Sequence, residues 1–224
     1  ALACRPTPTR QANAMTNQLA LPLGWPADPR DDAFLVTPSN ARAAQTLEHW
    51  ATWPVMAAVL TGPRKSGRSL LARIFAAKSN GTIIDDAENV PEAQIFHAWN
   101  QAQAERRPLV IVADALPPLW AVRLPDLRSR LAASPHAAIQ PPDDELIAAL
   151  LDHLFQRRGL DARPDLVTWL STRIERSHIV VQRVVDALDQ EVLESRKRLS
   201  IPLARTVLTA AGIVTQPQPL LPMS

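Results

Sequence analysis

Two hydrophobic patterns divide the chain. In its first half the apolar positions come as short unbroken runs, at residues 55–61, 82–84 and 109–113, with a shorter one at 137–139. Unbroken runs of this length, without polar alternation, predict strands covered on both faces, as in a parallel sheet. The segments between them read as helices: residues 39–50, with Ser39 as N-cap and Ala43, Leu47 and Trp50 along one face, then 69–78 and 91–106. Strands alternating with helices imply a layered α/β unit whose ligands sit at the strand C-termini.

After Pro141-Pro142 the strand signals stop. Asp143 and Asp144 begin a predicted helix carrying Ile147, Leu150, Leu151 and Leu154, which Gly159 closes. Pro164 opens a second through Val167, Leu170 and Ile174. Val180, Val184, Leu188 and Val192 mark a third, and a fourth runs from Pro202 to Gly212. Stripes at this spacing are assigned to packing. The predicted organisation is an α/β domain over residues 34–141, a small all-helical domain over 142–214, and two tails, 1–33 and 215–224.

The tails stand apart by composition. Residues 1–14 lack the apolar run of a secretion signal and read as an upstream extension, with translation expected to begin at Met15. The rest of the first tail holds Pro22, Gly24, Pro26 and Pro29, the second Pro217, Pro219 and Pro222, and both are expected to be extended. With 224 residues, 46% apolar and 21% charged, the chain is expected to be an ordinary soluble protein. Its apolar runs fall far short of the ~18 residues of a membrane span. A net charge of +2 gives no independent case for DNA. The single cysteine, Cys4, excludes an intramolecular disulfide and fits a reducing, cytoplasmic location.

The candidate chemistry lies at Gly62-Pro63-Arg64-Lys65-Ser66-Gly67-Arg68-Ser69, directly after the first strand run. This is the spacing of a phosphate-binding loop, in which backbone N–H groups and a following helix N-terminus face a polyphosphate. Arg68 stands at the position of the usual lysine. Its planar fork can pair with a phosphate, but it is not the compact ammonium that follows a transferring phosphoryl group, so the exchange favours holding ATP or ADP over hydrolysing it. Asp85, ending the second strand run, is placed to hold Mg²⁺ through its water shell, with Ser69 as the loop's own Mg²⁺ group. Asp86 is placed to orient a water, and Asp114, ending the third run, to sense phosphate.

In this order the segments Phe34-Leu35-Val36-Thr37-Pro38-Ser39-Asn40, the glycine loop, Ile84-Asp85-Asp86 and Leu124-Pro125-Asp126-Leu127-Arg128-Ser129-Arg130-Leu131 resemble the AAA+ core of the DnaA family of bacterial replication initiators, and most closely its short Hda-type members. The resemblance spans about residues 34–214. It implies a P-loop AAA+ core followed by a helical lid, with the nucleotide, more readily ADP, at their junction. It implies that Gln18, Leu19, Leu21, Pro22 and Leu23, within residues 18–23, form a peptide that binds the sliding clamp (β subunit) of DNA polymerase III. An extended segment of that kind can bury its leucines in an apolar groove. It further implies that Arg130 is an arginine finger that speeds hydrolysis in trans in DnaA, so that the chain is a negative regulator of replication initiation and an activator of another enzyme's turnover, not an efficient ATPase itself. DNA is then met only through the clamp, and a homodimer stays open.

The chain departs from the pattern in two places. Ile179 stands where a sensor arginine belongs, with Arg176 and Arg183 as nearby substitutes. Only 15 residues (70–84) separate Ser69 from Asp85, so the sheet is expected to be a strand smaller. Two other classes fit the same residues: an independent ATPase of the helicase- or clamp-loader kind, and a structural adaptor without nucleotide.

Overall fold

The computed structural model of the protein describes residues 34–214. Both terminal tails, with Cys4, Met15 and the 18–23 peptide, lie outside the described residues. The α/β unit runs α1 (Pro38–Glu48), β1 (Ala57–Thr61), α2 (Arg68–Ser79), β2 (Thr82–Ile84), α3 (Glu92–Glu105), β3 (Leu109–Val112), α4 (Pro125–Ala133) and β4 (His136–Ala138). All pairings are parallel and the strand order is β2-β3-β1-β4, a sheet of four strands among the described residues.

The unbroken apolar runs are explained by this sheet. Along β1, Ala58 and Leu60 join Leu47, Leu71 and Phe75 on the face covered by α1 and α2, while Ala57 and Val59 join Ile95, Leu127 and Leu131 on the face covered by α3 and α4. Along β3, Val110 and Val112 take the first side and Leu109 and Ile111 the second. Side chains alternate in direction, so a strand with both faces covered must be apolar throughout.

The lid is α5 (Asp144–Arg157), α6 (Pro164–Ser171), α7 (His178–Ser195) and α8 (Ile201–Ala210), close to the predicted helices. Phe155, Leu151, Leu166, Leu170, Val184 and Leu188 form its own core. Asp143 caps α5, its Oδ1 accepting from the Leu146 N–H at 2.7 Å, and its Oδ2 accepts from the Ser39 N–H of α1 at 3.0 Å. One carboxylate thus starts the lid and grips the α/β unit.

The N-cap of α1 differs from expectation. It is Thr37, not Ser39, because Pro38 occupies the first helical position and forces the residue before it into an extended conformation (φ −133°, ψ 171°). Asn40 closes the turn, its Oδ1 accepting from the Thr37 N–H at 2.9 Å. Among the described residues no helix is long and apolar enough to cross a membrane.

Candidate functional site

Strand β1 delivers the chain into the loop at Gly62, and Gly67, in the left-handed region (φ 86°), caps α2. A side chain is disfavoured at both glycines: a Cβ on Gly62 would lie 2.8 Å from Cβ of Ile139, and at Gly67 the left-handed backbone would be strained, with a Cβ 3.2 Å from the Phe34 ring. Ser66 is buried and its Oγ has no hydrogen-bond partner. A buried hydroxyl is seldom left so, and here it lies in a loop with the spacing of a phosphate-binding loop. Loop and lid together wall a cleft of about 470 Å³. Lys65, Ser66, Arg68, Ser69 and Arg73 line it from the α/β unit, and Leu146, Leu150, Arg157, His178 and Gln182 from α5 and α7. Cations on both walls, with Leu146 and Leu150 beside them on the helical side, suit a phosphorylated ligand with an apolar portion.

Arg68 turns toward the end of β3. It donates through Nη1 to the Ala113 carbonyl and through Nη2 to Asp114 Oδ1 at 2.6 Å, while Arg64 donates to Asp114 Oδ2 at 3.1 and 3.3 Å. The two guanidinium groups, Arg68 first, hold the Asp114 carboxyl below its ordinary value. The backbone N–H groups of Asp114 and Ala115 both donate to Oε1 of Glu88, which fixes the strand end from the 3₁₀ turn Ala87–Asn89.

The sheet order corrects the expected position of Asp85. It ends β2, the edge strand, and β3 lies between β2 and the loop strand β1, so the acid beside the loop is Asp114. Neither Asp85 nor Asp86 lines the cleft. Asp86 adopts a left-handed conformation (φ 53°) ahead of the 3₁₀ turn and accepts from Asn89 Nδ2 at 2.8 Å. Among the described residues no three His, Cys, Asp or Glu gather as a metal site.

The lid face of the cleft comes from positions that the periodic reading passed over. Ile179 is 43% exposed, whereas its helical neighbours His178 and Gln182 line the cleft. Arg176 pairs with Asp144 at 2.8 Å, and Arg183 is exposed and off the cleft. The further cations are Arg73 of α2 and Arg157 of α5, which line the same cleft. Their signal in the sequence was a basic residue interrupting an apolar face, which spacing alone does not separate from a solvated edge.

His178 is buried and its Nδ1 has no hydrogen-bond partner, so desolvation holds its pKa below the ordinary imidazole value. Desolvation also lowers His136, a weaker case because its side chain is exposed on β4 and its Nε2 meets Thr61 Oγ1 at 2.7 Å. A folded-state value below the unfolded one means stability is full above the unfolded pKa of ~6.5 and is lost as pH falls through the lowered values, where the unfolded chain binds more protons. The melting temperature is therefore expected to fall between pH 7 and pH 5, and to fall less in His178→Gln; an equal fall in both would remove His178 as a source.

Arg130, in the last turn of α4, lies over two rings of α3, with Cζ 4.4 Å from the Phe96 centroid and 4.5 Å from that of Trp99. Its Nη1 donates to Asn100 Oδ1. The α4 segment is itself fixed by Glu92, whose carboxylate accepts from the Arg123 and Leu124 N–H groups at 2.8 and 2.7 Å and is held below its ordinary pKa by those bonds.

Residues 143–208 match the family "Hda, lid domain". An uncharacterized protein of Haemophilus influenzae (strain ATCC 51907 / DSM 11121 / KW20 / Rd) is 28% identical over 131 residues, 56% of this chain and 57% of that relative, so the chain matches little more than half of the relative's length. In three dimensions the chain is similar to domain III of the Thermotoga maritima replication initiation protein DnaA (TM-score 0.67, 14% identity, 79% of this chain and 94% of that one). It is also similar to AMPPCP-bound DnaA from Aquifex aeolicus (TM-score 0.56, 11% identity, 72% and 65%). The fold is thus similar to that of DnaA domain III, and the four-helix region matches the Hda lid model.

Proposed function

We propose that this DnaA-like AAA+ unit is a negative regulator of replication initiation: tethered to the sliding clamp of DNA polymerase III by residues 18–23, it holds ADP or ATP under its lid and stimulates ATP hydrolysis by DnaA through Arg130. The observation that carries the reading is an Hda-type lid closing on a phosphate loop whose lysine position is an arginine turned away toward Asp114. Such a loop suits retention of a nucleotide more than transfer of its phosphoryl group. Asp86, off the cleft, argues in the same direction, since water-orienting chemistry needs a group within reach of the phosphate.

In this mechanism the loop amides and the α2 N-terminus bind the phosphates, and Lys65, Arg73 and Arg157 complement their charge. Ser69 would hold a Mg²⁺ ion carried in on the nucleotide, which would neutralise phosphate charge there. The lid face of α5 and α7 covers the remainder of the nucleotide and excludes water. Arg130 has to leave Phe96, Trp99 and Asn100 to meet the triphosphate of a DnaA subunit, so docking must compensate for contacts that together contribute about 1–2 kcal/mol.

The test is DnaA ATP turnover with and without clamp loaded on DNA. Stimulation is expected only with clamp. Replacing Leu19, Leu21 and Leu23 together by alanine is expected to weaken clamp binding about 100-fold or more and to remove the stimulation; stimulation surviving that change would refute the tether. A nucleotide-free adaptor is favoured by one observation, the neutralisation of Arg68 by Asp114. A thermal shift with ADP distinguishes it, because a bound nucleotide stabilises the fold by mass action.

A further inference from the structure

We propose that Asp114 is a built-in competitor for the nucleotide's phosphates, so that a polyphosphate enters the loop by displacing a carboxylate from Arg68. The inference rests on the nucleotide-site reading above and adds how that site is regulated. Arg68 follows the capping glycine directly and lines the cleft, yet both ends of its guanidinium are taken, by the Ala113 carbonyl and by Asp114 Oδ1 at 2.6 Å. Asp114 Oδ2 is taken by Arg64 at 3.1 Å. The carboxylate therefore does to the loop's two arginines what a phosphate would do: it presents two anionic oxygens to planar donors.

The exposures of the three partners differ in a way that suits exchange. Arg68 is the sheltered member, with 14% of its side chain exposed, whereas Asp114 is 43% and Arg64 76% exposed. An anion arriving from solvent meets the carboxylate at its open side, and the carboxylate has water to retreat into. The loop is also partly self-satisfied, since the Ser66 N–H donates to the Pro63 carbonyl at 3.2 Å. The Ser66 hydroxyl, by contrast, is buried without a partner. The bonds of Arg68 and of the Ser66 N–H lower the gain from a phosphate, because there the ligand replaces existing bonds instead of filling vacant ones.

The position of Asp114 makes the competition unavoidable. Strand β3 pairs with β1 in parallel register, with Leu60 beside Val112, so the residues that follow the two strands emerge side by side. Glu88 pins the Asp114 and Ala115 backbone there. A nucleotide bound to this loop would put phosphate charge next to the Asp114 carboxylate, and like charges in a partly sheltered site raise the cost of binding.

The test is titration of the full chain with MgADP by calorimetry. Asp114→Asn keeps the size of the side chain and removes the charge, and is expected to bind about tenfold more tightly than the parent. In an Arg68→Ala background the same substitution is expected to give no comparable gain, because the released arginine is what captures the phosphate. If Asp114→Asn does not fold, Arg68→Lys, which keeps the cation but loses the two-pronged grip, is expected to show the gain. Unchanged or weaker binding in Asp114→Asn, or a gain that persists without Arg68, overturns the proposal while leaving the nucleotide site intact. Absence of binding by parent and variants alike overturns the nucleotide site and the competition together. Tighter binding without stimulation of DnaA leaves the competition standing and refutes the regulatory role.

Discussion

Arg130→Ala is expected to lower clamp-dependent stimulation of DnaA ATP hydrolysis by about 10³-fold or more, the range in which removal of an arginine supplied in trans falls. The variant should still bind the clamp, because residues 18–23 are untouched, and should still bind nucleotide, because Arg130 does not line the cleft. Its structural cost is expected to be small. The guanidinium lies over Phe96 and Trp99 at 4.4 and 4.5 Å and meets Asn100, contacts that together contribute about 1–2 kcal/mol at a half-buried site. Arg130→Lys separates the two roles, since lysine can rest on the rings but cannot present a planar fork to a phosphoryl group. A finger predicts that both variants lose stimulation while keeping most of their stability. A purely structural clasp between α4 and α3 predicts the reverse: reduced stability in Arg130→Ala, largely restored in Arg130→Lys, and undiminished stimulation per folded molecule in both.

Phe155→Ala is expected to cost about 3–5 kcal/mol, the range for truncating a fully buried aromatic side chain without collapse of the space it leaves. Phe155 is 1% exposed, at the last turn of α5, among Leu151, Leu166, Leu170, Val184 and Leu188. Its loss removes the largest wholly buried side chain of a four-helix unit with little core to spare. Because α5 also supplies Leu146, Leu150 and Arg157 to the cleft, nucleotide binding is expected to fail along with the lid even though the phosphate loop is unaltered. Urea unfolding followed by far-ultraviolet circular dichroism measures the cost, and a loss below about 1 kcal/mol would show that the lid core closes over the gap.

The parts of this architecture that rest on local pattern are legible in the sequence. The runs at 55–61 and 109–113 become β1 and β3 because both faces of the sheet are covered, and Gly159 and Gly212 end helices with left-handed φ near 66°. The parts that rest on distant pairing are not. Strand order is decided by how whole helices pack over the sheet, which is why Asp85 reads as the neighbour of the loop while Asp114 occupies that place. The identity of the residue at the lysine position was plain, yet its partner 46 positions away was not, so Arg68 reads as a free phosphate ligand until the fold joins it to Asp114. Arg130 shows the same limit, because Phe96 and Trp99 lie on another helix. Lys65, Arg73, Arg157 and His178 reach one cleft only because the lid folds over the loop.

Asp143 gives the assembly an axle. Its two oxygens serve different bodies, one the first turn of α5 and the other the backbone of Ser39, while the Ser39 carbonyl accepts from the Gln140 N–H at 3.1 Å. Any swing of the helical cap must turn about this point or tear it, so the mouth of the cleft can widen at its far side while its near side keeps a constant gap. A hydrogen-exchange experiment should accordingly find the amides of Ser39 and Leu146 among the slow ones even when α7 breathes.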